Sequence, residues 1–207
     1  MFGKWLTRSS GTATAAGLDD GGAASSQPAR LNEADRSLAV LFLCRKDSVM
    51  PLSSADADVV VRYLLPRQFR PGEVLLREGD AKSNYMLWIL EGDATIEAVT
   101  DGPLDSITMT VLQPGSTLGE MGLMDGSRRS VSCTASSAVR TAILTRQSLR
   151  ALAARHPEVA VRLMSVVCMG IAVRLRDVTG KFKRYVLMNH AMRDELLGST
   201  SRRGAMP

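Results

Sequence analysis

Aromatic side chains are scarce in this chain: Phe, Trp and Tyr make up 4% of its 207 residues, so a core must rest on Leu, Val, Ile, Met and Ala. Cysteine occurs only at positions 44, 133 and 168, an odd number with no Cys-x-x-Cys pair. That pattern excludes a disulfide framework and a zinc knuckle, and it fits a reducing cytoplasm. Histidine is limited to His156 and His190, and neither has a Cys or carboxylate partner at metal-ligand spacing, so no metal is expected. Long apolar runs are missing too. The stretch from Leu163 to Val173, between Arg162 and Arg174, falls well short of the roughly 20 residues a membrane span needs. The N-terminal residues have no sustained apolar region of the secretory type. Nor is one sign of charge dominant: 26 Lys and Arg against 21 Asp and Glu leave a net charge of +5. This balance permits an anionic ligand without itself arguing for nucleic acid. A cytoplasmic protein without a membrane segment is expected.

What is present falls into blocks. Residues 9–29 are Ser, Thr, Ala and Gly with little apolar content, so residues 1–30 are expected to form a flexible leader. Residues 31–66 carry two helical patterns. One starts near Asn32, and the second starts at Ser53 or Ser54 and is stopped by Pro66. Residues 67–147 change character. Seven short β-like runs, from Gln68-Phe-Arg to Val139-Arg-Thr-Ala-Ile-Leu, alternate with turns such as Pro71-Gly72, Gly79-Asp80, Glu91-Gly92-Asp93 and Pro114-Gly115. Many short strands with such punctuation predict an antiparallel sandwich or roll. Residues 148–198 return to helical periodicity. One helix is expected from Pro157 to about Asp177, and another past Gly180 on Phe182, Tyr185, Val186, Asn189, Met192 and Leu196. Residues 199–207 read as a disordered tail.

The densest chemistry lies in Gly119-Glu-Met-Gly-Leu-Met-Asp-Gly-Ser-Arg-Arg-Ser130. Glycines let a backbone approach a ligand closely, and N–H groups at a short helix start favour negative charge. An arginine adds a charged fork suited to phosphate oxygens. The carboxylate of Glu120 cannot hold phosphate, but it can accept a hydrogen bond from a sugar hydroxyl. Ser130 has no His–Asp partner in reach along the sequence, so nucleophilic catalysis is not expected. The set suits a nucleotide that is recognised rather than consumed.

Three further stretches surround this segment: Pro71-Gly-Glu-Val-Leu-Leu-Arg-Glu-Gly-Asp80, Leu90-Glu-Gly-Asp-Ala-Thr-Ile96 and Gln113-Pro-Gly-Ser-Thr-Leu-Gly-Glu120. With them, roughly residues 50 to 178 resemble the cyclic nucleotide-binding domain family of catabolite activator proteins, kinase regulatory subunits and nucleotide-gated channels. The resemblance implies a mainly β fold, an antiparallel β-roll or jelly roll (a double-stranded β-helix) flanked by N- and C-terminal helices. Its phosphate-binding cassette would span 118–131. It also implies roles. Gly119 makes the tight turn, and Glu120 takes the ribose 2′-hydroxyl. The N–H groups of Met121 and Gly122 face a cyclic phosphate, Arg129 neutralises it, and Ser130 adds a hydroxyl. Leu118 stands where the family usually has an aromatic and Arg128 where proline is frequent; Arg129, followed by Ser130, is the favoured phosphate ligand. Arg174 and Arg176 are the candidates for capping the base.

The ligand implied is a cyclic nucleotide, cyclic AMP before cyclic GMP, with no cofactor or metal. Only 29 residues follow Val178, too few for a helix-turn-helix with its wing, so DNA binding is not expected despite Lys181, Lys183, Arg184, Arg193, Arg202 and Arg203. The expected role is a sensor that stands alone and signals to a protein partner through movement of its C-terminal helix. Gly170 offers a place for a second helix to approach, and hence for a homodimer. The competing expectation is an interaction or DNA-associated module of the same fold, with a silent site or one for a cyclic dinucleotide.

Overall fold

The computed structural model describes residues 30–44, 47–99 and 106–203. The leader expected over 1–30 lies, except for Arg30, outside the described residues, as do residues 204–207 of the expected tail.

Both N-terminal helices start on capping residues. In α1 (Glu33–Leu43) the side chain of Asn32 accepts from the Asp35 N–H at 2.8 Å. In α2 (Ser54–Val61) Ser53 and Asp56 cap each other's backbone N–H reciprocally. Such caps satisfy first-turn donors that a helix cannot satisfy internally. Pro66 does not end the helix directly. It lies within strand β1 (Leu65–Phe69), which runs along the edge of its sheet, where a residue without an N–H is tolerated. The helical block therefore closes at Val61, and the β region opens at Leu65, slightly before the expected boundary.

The strands β2 (Val74–Leu76), β3 (Tyr85–Glu91), β4 (Ala94–Val99), β5 (Ser106–Leu112), β6 (Thr117–Leu118), β7 (Ser132–Ala135) and β8 (Val139–Thr145) complete two antiparallel four-stranded sheets. Their orders are β1-β8-β3-β6 and β2-β7-β4-β5. The short helix α3 (Glu120–Asp125) interrupts the run between β6 and β7.

The sequence of β3, Tyr-Met-Leu-Trp-Ile-Leu, is apolar without alternation, because both faces of its sheet are covered. Leu87 and Ile89 point between the sheets, into a core with Phe69, Leu76, Leu118, Cys133 and Ile143. Met86, Trp88 and Leu90 point the other way, under the helices, with Ala142 and Leu144 of β8. The period of two along a strand delivers successive side chains to these two cores.

The second core is roofed by α1, α2, α4 (Arg146–Arg155) and the first part of α5 (Pro157–Arg203) through Leu43, Val60, Leu152, Leu163 and Val167. His156 links α4 and α5, and its ring meets Tyr63 edge-on at 6.2 Å. α5 corrects the expected division into two helices: it is one helix of 47 residues, running through Gly180. A lone glycine costs a helix only about 1 kcal/mol, less than the hydrogen bonds that continuing it retains. The backbone of residues 199–203, expected in a disordered tail, belongs to this helix as well.

Candidate functional site

The Gly119–Ser130 segment folds across the open end of the first sheet. β6 pairs with β3 through Leu87–Leu118 and Trp88–Thr117, which carries the chain to Gly119. Gly119 then turns with φ +78° and starts α3. A Cβ at this position would lie 2.5 Å from Arg129 Nη1 and 2.9 Å from the Tyr85 carbonyl oxygen, so both dihedral and space demand glycine. Gly122 packs on the same guanidinium; its Cβ would meet Nη1 at 3.0 Å. The C-terminal end of α3 is held from α4, where Arg146 Nη2 donates to the Gly122 and Leu123 carbonyls at 2.9 and 3.0 Å.

Arg129 is buried, with 5% of its surface exposed. Nη1 donates to the Gly119 carbonyl at 2.7 Å, and Nη2 donates to the carbonyls of Ser83 at 2.7 Å and Tyr85 at 2.5 Å. Its carbon lies 5.3 Å from the Tyr85 ring centre. Its backbone is locked too: the Arg129 N–H donates to the Asp80 carbonyl at 3.0 Å and the Gly79 N–H to the Arg129 carbonyl at 2.8 Å. Burial pulls the guanidinium below its usual pKa, while Tyr85, Asp80 and Glu120 pull the other way. Asp80 is itself fixed by the Ser83 hydroxyl and the Lys82 N–H, which hold its carboxyl below the usual range. A guanidinium has five N–H donors, and three here are committed to main-chain carbonyls. The Nε–H and one N–H on Nη1 are left.

Glu120 is 3% exposed. Its Oε1 accepts from Arg174 Nη1 of α5 at 2.5 Å, and Arg174 Nη2 donates to the Thr117 carbonyl at 2.6 Å. Its Oε2 has no hydrogen-bond partner, and neither does Arg129 Nε. Among the described residues only Asp35 Oδ1 shares that status, and it has an ion-pair contact with Arg140 at 2.8 Å. Buried polar groups are almost always satisfied, so an orphaned acceptor and an orphaned donor of opposite charge in one segment point to a ligand that supplies both partners.

Both side chains line a cavity of about 990 Å³. Its polar end holds Gly119, Glu120, Met121, Gly122, Arg129 and Ser130, six positions that the sequence singled out. Apolar walls come from Leu76, Ile96 and Leu112 of the second sheet, from Phe42 of α1, and from Val178, Phe182 and Tyr185 of α5. Arg128 reaches the cavity from an exposed position. Arg174 enters the site, but its guanidinium is bound to Glu120 and the Thr117 carbonyl. Arg176 is exposed and outside the lining. Gly170, the expected close approach for a second helix, faces Thr117 of β6 instead, 3.8 Å from where its Cβ would be.

The family model for the cyclic nucleotide-binding domain matches residues 66–156. That segment belongs to the cyclic nucleotide-binding domain family. A cyclic nucleotide-binding domain from Methylobacillus flagellatus superposes with a TM-score of 0.66 at 24% identity, covering 72% of this chain and 83% of that one, and shows the shared fold. Two relatives are similar in sequence. A putative potassium channel protein of Rhodopseudomonas palustris is 34% identical over 116 residues, 56% of this chain and 27% of the relative. A cyclic nucleotide-gated potassium channel of Rhizobium etli is 33% identical over 109 residues, 53% of this chain and 28% of the relative. The chain thus spans little more than a quarter of the length of these curated relatives.

Sequence reasoning missed several residues that position this cyclic nucleotide-binding domain's cassette. Ser83 and Tyr85 hold Arg129 through carbonyl oxygens, which any residue type would provide, so no signal marks them. Asp80 stood in a recognised turn without an assigned role. Arg146 fell at the end of the expected β block without an assigned role, and nothing near it along the chain marks it as a partner of α3. Among the described residues no helix is long and apolar enough to cross a membrane, and no cluster of His, Cys, Asp and Glu is placed to hold a metal.

Proposed function

We propose that this domain is a sensor whose cavity binds a cyclic mononucleotide, cyclic AMP before cyclic GMP, and passes occupancy to a protein partner through α5. The observation that carries the reading is that Glu120 and Arg129, each holding a buried polar atom without a partner (Oε2 and Nε), line one cavity. A ribose 2′-hydroxyl donates to the first, and a cyclic phosphate oxygen accepts from the second. Ser130 adds a hydroxyl to the phosphate, beside the first-turn N–H groups of Met121 and Gly122. The apolar walls suit a purine face. The cavity volume is at the upper end of the roughly 300–1,000 Å³ usual for small-molecule sites.

Arg174 gives the site a link to α5. With Oε1 held by Arg174 and Oε2 taking the sugar, one carboxylate joins ligand and helix. For this to act as a switch, the nucleotide must bind one position of α5 more tightly than another. The potassium-channel relatives support a regulatory output of this kind, recognition rather than catalysis.

Titration calorimetry with cyclic AMP, cyclic GMP and cyclic di-GMP tests the proposal. Wild type should bind a cyclic mononucleotide, and Glu120→Ala should weaken it by about 10- to 100-fold, the worth of one hydrogen bond to a charged group. Heat with none of the three in wild type sinks the sensor reading, and heat with cyclic di-GMP alone turns it to a dinucleotide site.

A further inference from the structure

Two arginines adjoin at the polar end of the cavity, and the fold treats them in opposite ways. Arg129 is buried, and three of its five N–H donors are spent on the carbonyls of Gly119, Ser83 and Tyr85. Arg128 lines the same cavity from an exposed position, and among the described residues its side chain has no hydrogen bond or ion pair. The other cations on the cavity wall are engaged. Arg174 holds Glu120 and the Thr117 carbonyl, and Lys181 donates to the Thr110 hydroxyl at 3.2 Å. Among the described residues Arg128 is thus the one free cation of the site.

Its main chain is held while its side chain is not. On one side the Ser127 N–H donates to the Asp125 carboxylate at 2.8 Å. On the other, the Arg129 N–H donates to the Asp80 carbonyl at 3.0 Å, and the Arg129 carbonyl accepts from the Gly79 N–H at 2.8 Å. Asp125 is the nearest acidic residue along the chain, and it is turned to that Ser127 N–H, so no carboxylate of the loop pairs with Arg128. A long charged side chain on an anchored base meets an incoming anion without rearranging the loop.

We propose that Arg128 captures the anionic ligand and Arg129 holds it. The exposed guanidinium meets the phosphate first, at the cavity rim, and stays on it as a second cation once Arg129 Nε is engaged. This role rests on the reading that the cavity takes a phosphate-bearing ligand. A cyclic phosphate has two free oxygens, and a guanidinium fork suits such oxygens, so each arginine has one to bind. The two positions act on different rates. A buried cation in fixed geometry slows dissociation, whereas a rim charge speeds encounter and makes it sensitive to salt. Arg129 is poorly placed for capture, because it lies beneath Gly119 and Gly122 with the charges of Asp80 and Glu120 set against its own.

Stopped-flow binding and titration calorimetry on the 207-residue chain test this, with cyclic AMP and cyclic GMP as probes. At low salt Arg128→Ala should weaken binding about 10-fold, mainly through slower association, with an unchanged melting temperature. At about 0.5 M salt, where screening acts over a few ångströms, the gap should close to about twofold. Arg128→Lys keeps the charge without the fork and should associate at close to the wild-type rate. An Arg128→Ala variant that associates within about twofold of wild type at low salt overturns the proposal. So does a loss that salt leaves unchanged, or a lysine variant as slow as the alanine one. Either result beside a wild type that binds nucleotide overturns this role alone; a wild type that binds neither nucleotide overturns the sensor reading with it.

Discussion

Replacing Arg129 by alanine should destabilise the protein in the absence of any ligand. The side chain is buried and donates to three main-chain carbonyls, those of Gly119, Ser83 and Tyr85. A carbonyl left unpaired in a buried position costs about 1–3 kcal/mol. The contacts to Gly119 and Ser83 are only partly buried and belong at the low end, whereas the contact to Tyr85 is fully buried and costs more. Against this, removing the guanidinium recovers the desolvation that pulls its pKa down. The net loss should be about 3 kcal/mol, which lowers the melting temperature of a domain this size by roughly 6–12 °C. Differential scanning calorimetry on Arg129→Ala and on Arg128→Ala measures it. The neighbour is exposed and should stay within about 0.5 kcal/mol of wild type. A fall of under about 2 °C for Arg129→Ala would refute the claim that Arg129 is a structural tie as well as a ligand-facing group. The consequence is practical: any binding lost in Arg129→Ala or Glu120→Ala must be read beside that variant's melting temperature, because Glu120 too is a buried tie, to Arg174 of α5.

Two other outcomes follow from single groups. Asp80 has its carboxyl pKa depressed below the ordinary 3.8 by Ser83 and the Lys82 N–H, so it stabilises the fold above that value, and the contribution fades as pH falls through the lower, folded-state pKa. Asp80→Asn should therefore be less stable than wild type in urea at neutral pH, with the gap narrowing below about pH 4; parallel curves down to about pH 3 contradict the assignment. Cys133 is fully buried between the sheets, and burial with Glu97 nearby pushes its thiol up to about 12. Alkylation mapped by mass spectrometry at mildly alkaline pH should label the exposed Cys168 while leaving Cys133 unmodified until the protein is unfolded, and equal labelling of both in the folded state counts against the packed core.

Much of the β-roll is legible in the sequence. Each of the seven β-like runs coincides with a strand, because glycine turns and apolar residues report local constraints that the chain carries wherever it goes. β6 escaped notice because two residues, Thr117 and Leu118, have no periodicity to read. Gly180 misled because a glycine lowers helix stability only slightly, whereas the continuity of α5 depends on the turns on either side of it. The cassette residues were legible as a group, since their spacing within one short loop limits where they can go. Their individual partners were not. Nothing in the sequence says that Arg129 spends three donors on carbonyls 10, 44 and 46 positions away.

The arginines of α5 mark the boundary most clearly. Arg174 and Arg176 are two residues apart on a helix, so they point to nearly opposite faces, and the sequence leaves the choice open. The docking of α5 on α2 and α4 makes it, turning Arg174 onto Glu120, 54 positions earlier in the chain, and Arg176 to solvent. By itself, then, the sequence determined most of the elements, the glycine turns and the composition of the cassette, all properties of residues near one another along the chain. Tertiary structure alone decided which buried donor and acceptor stay unpaired, which arginine ties the helix to the site, and which of two adjacent arginines is left free. Those depend on how distant segments meet, and only packing fixes that.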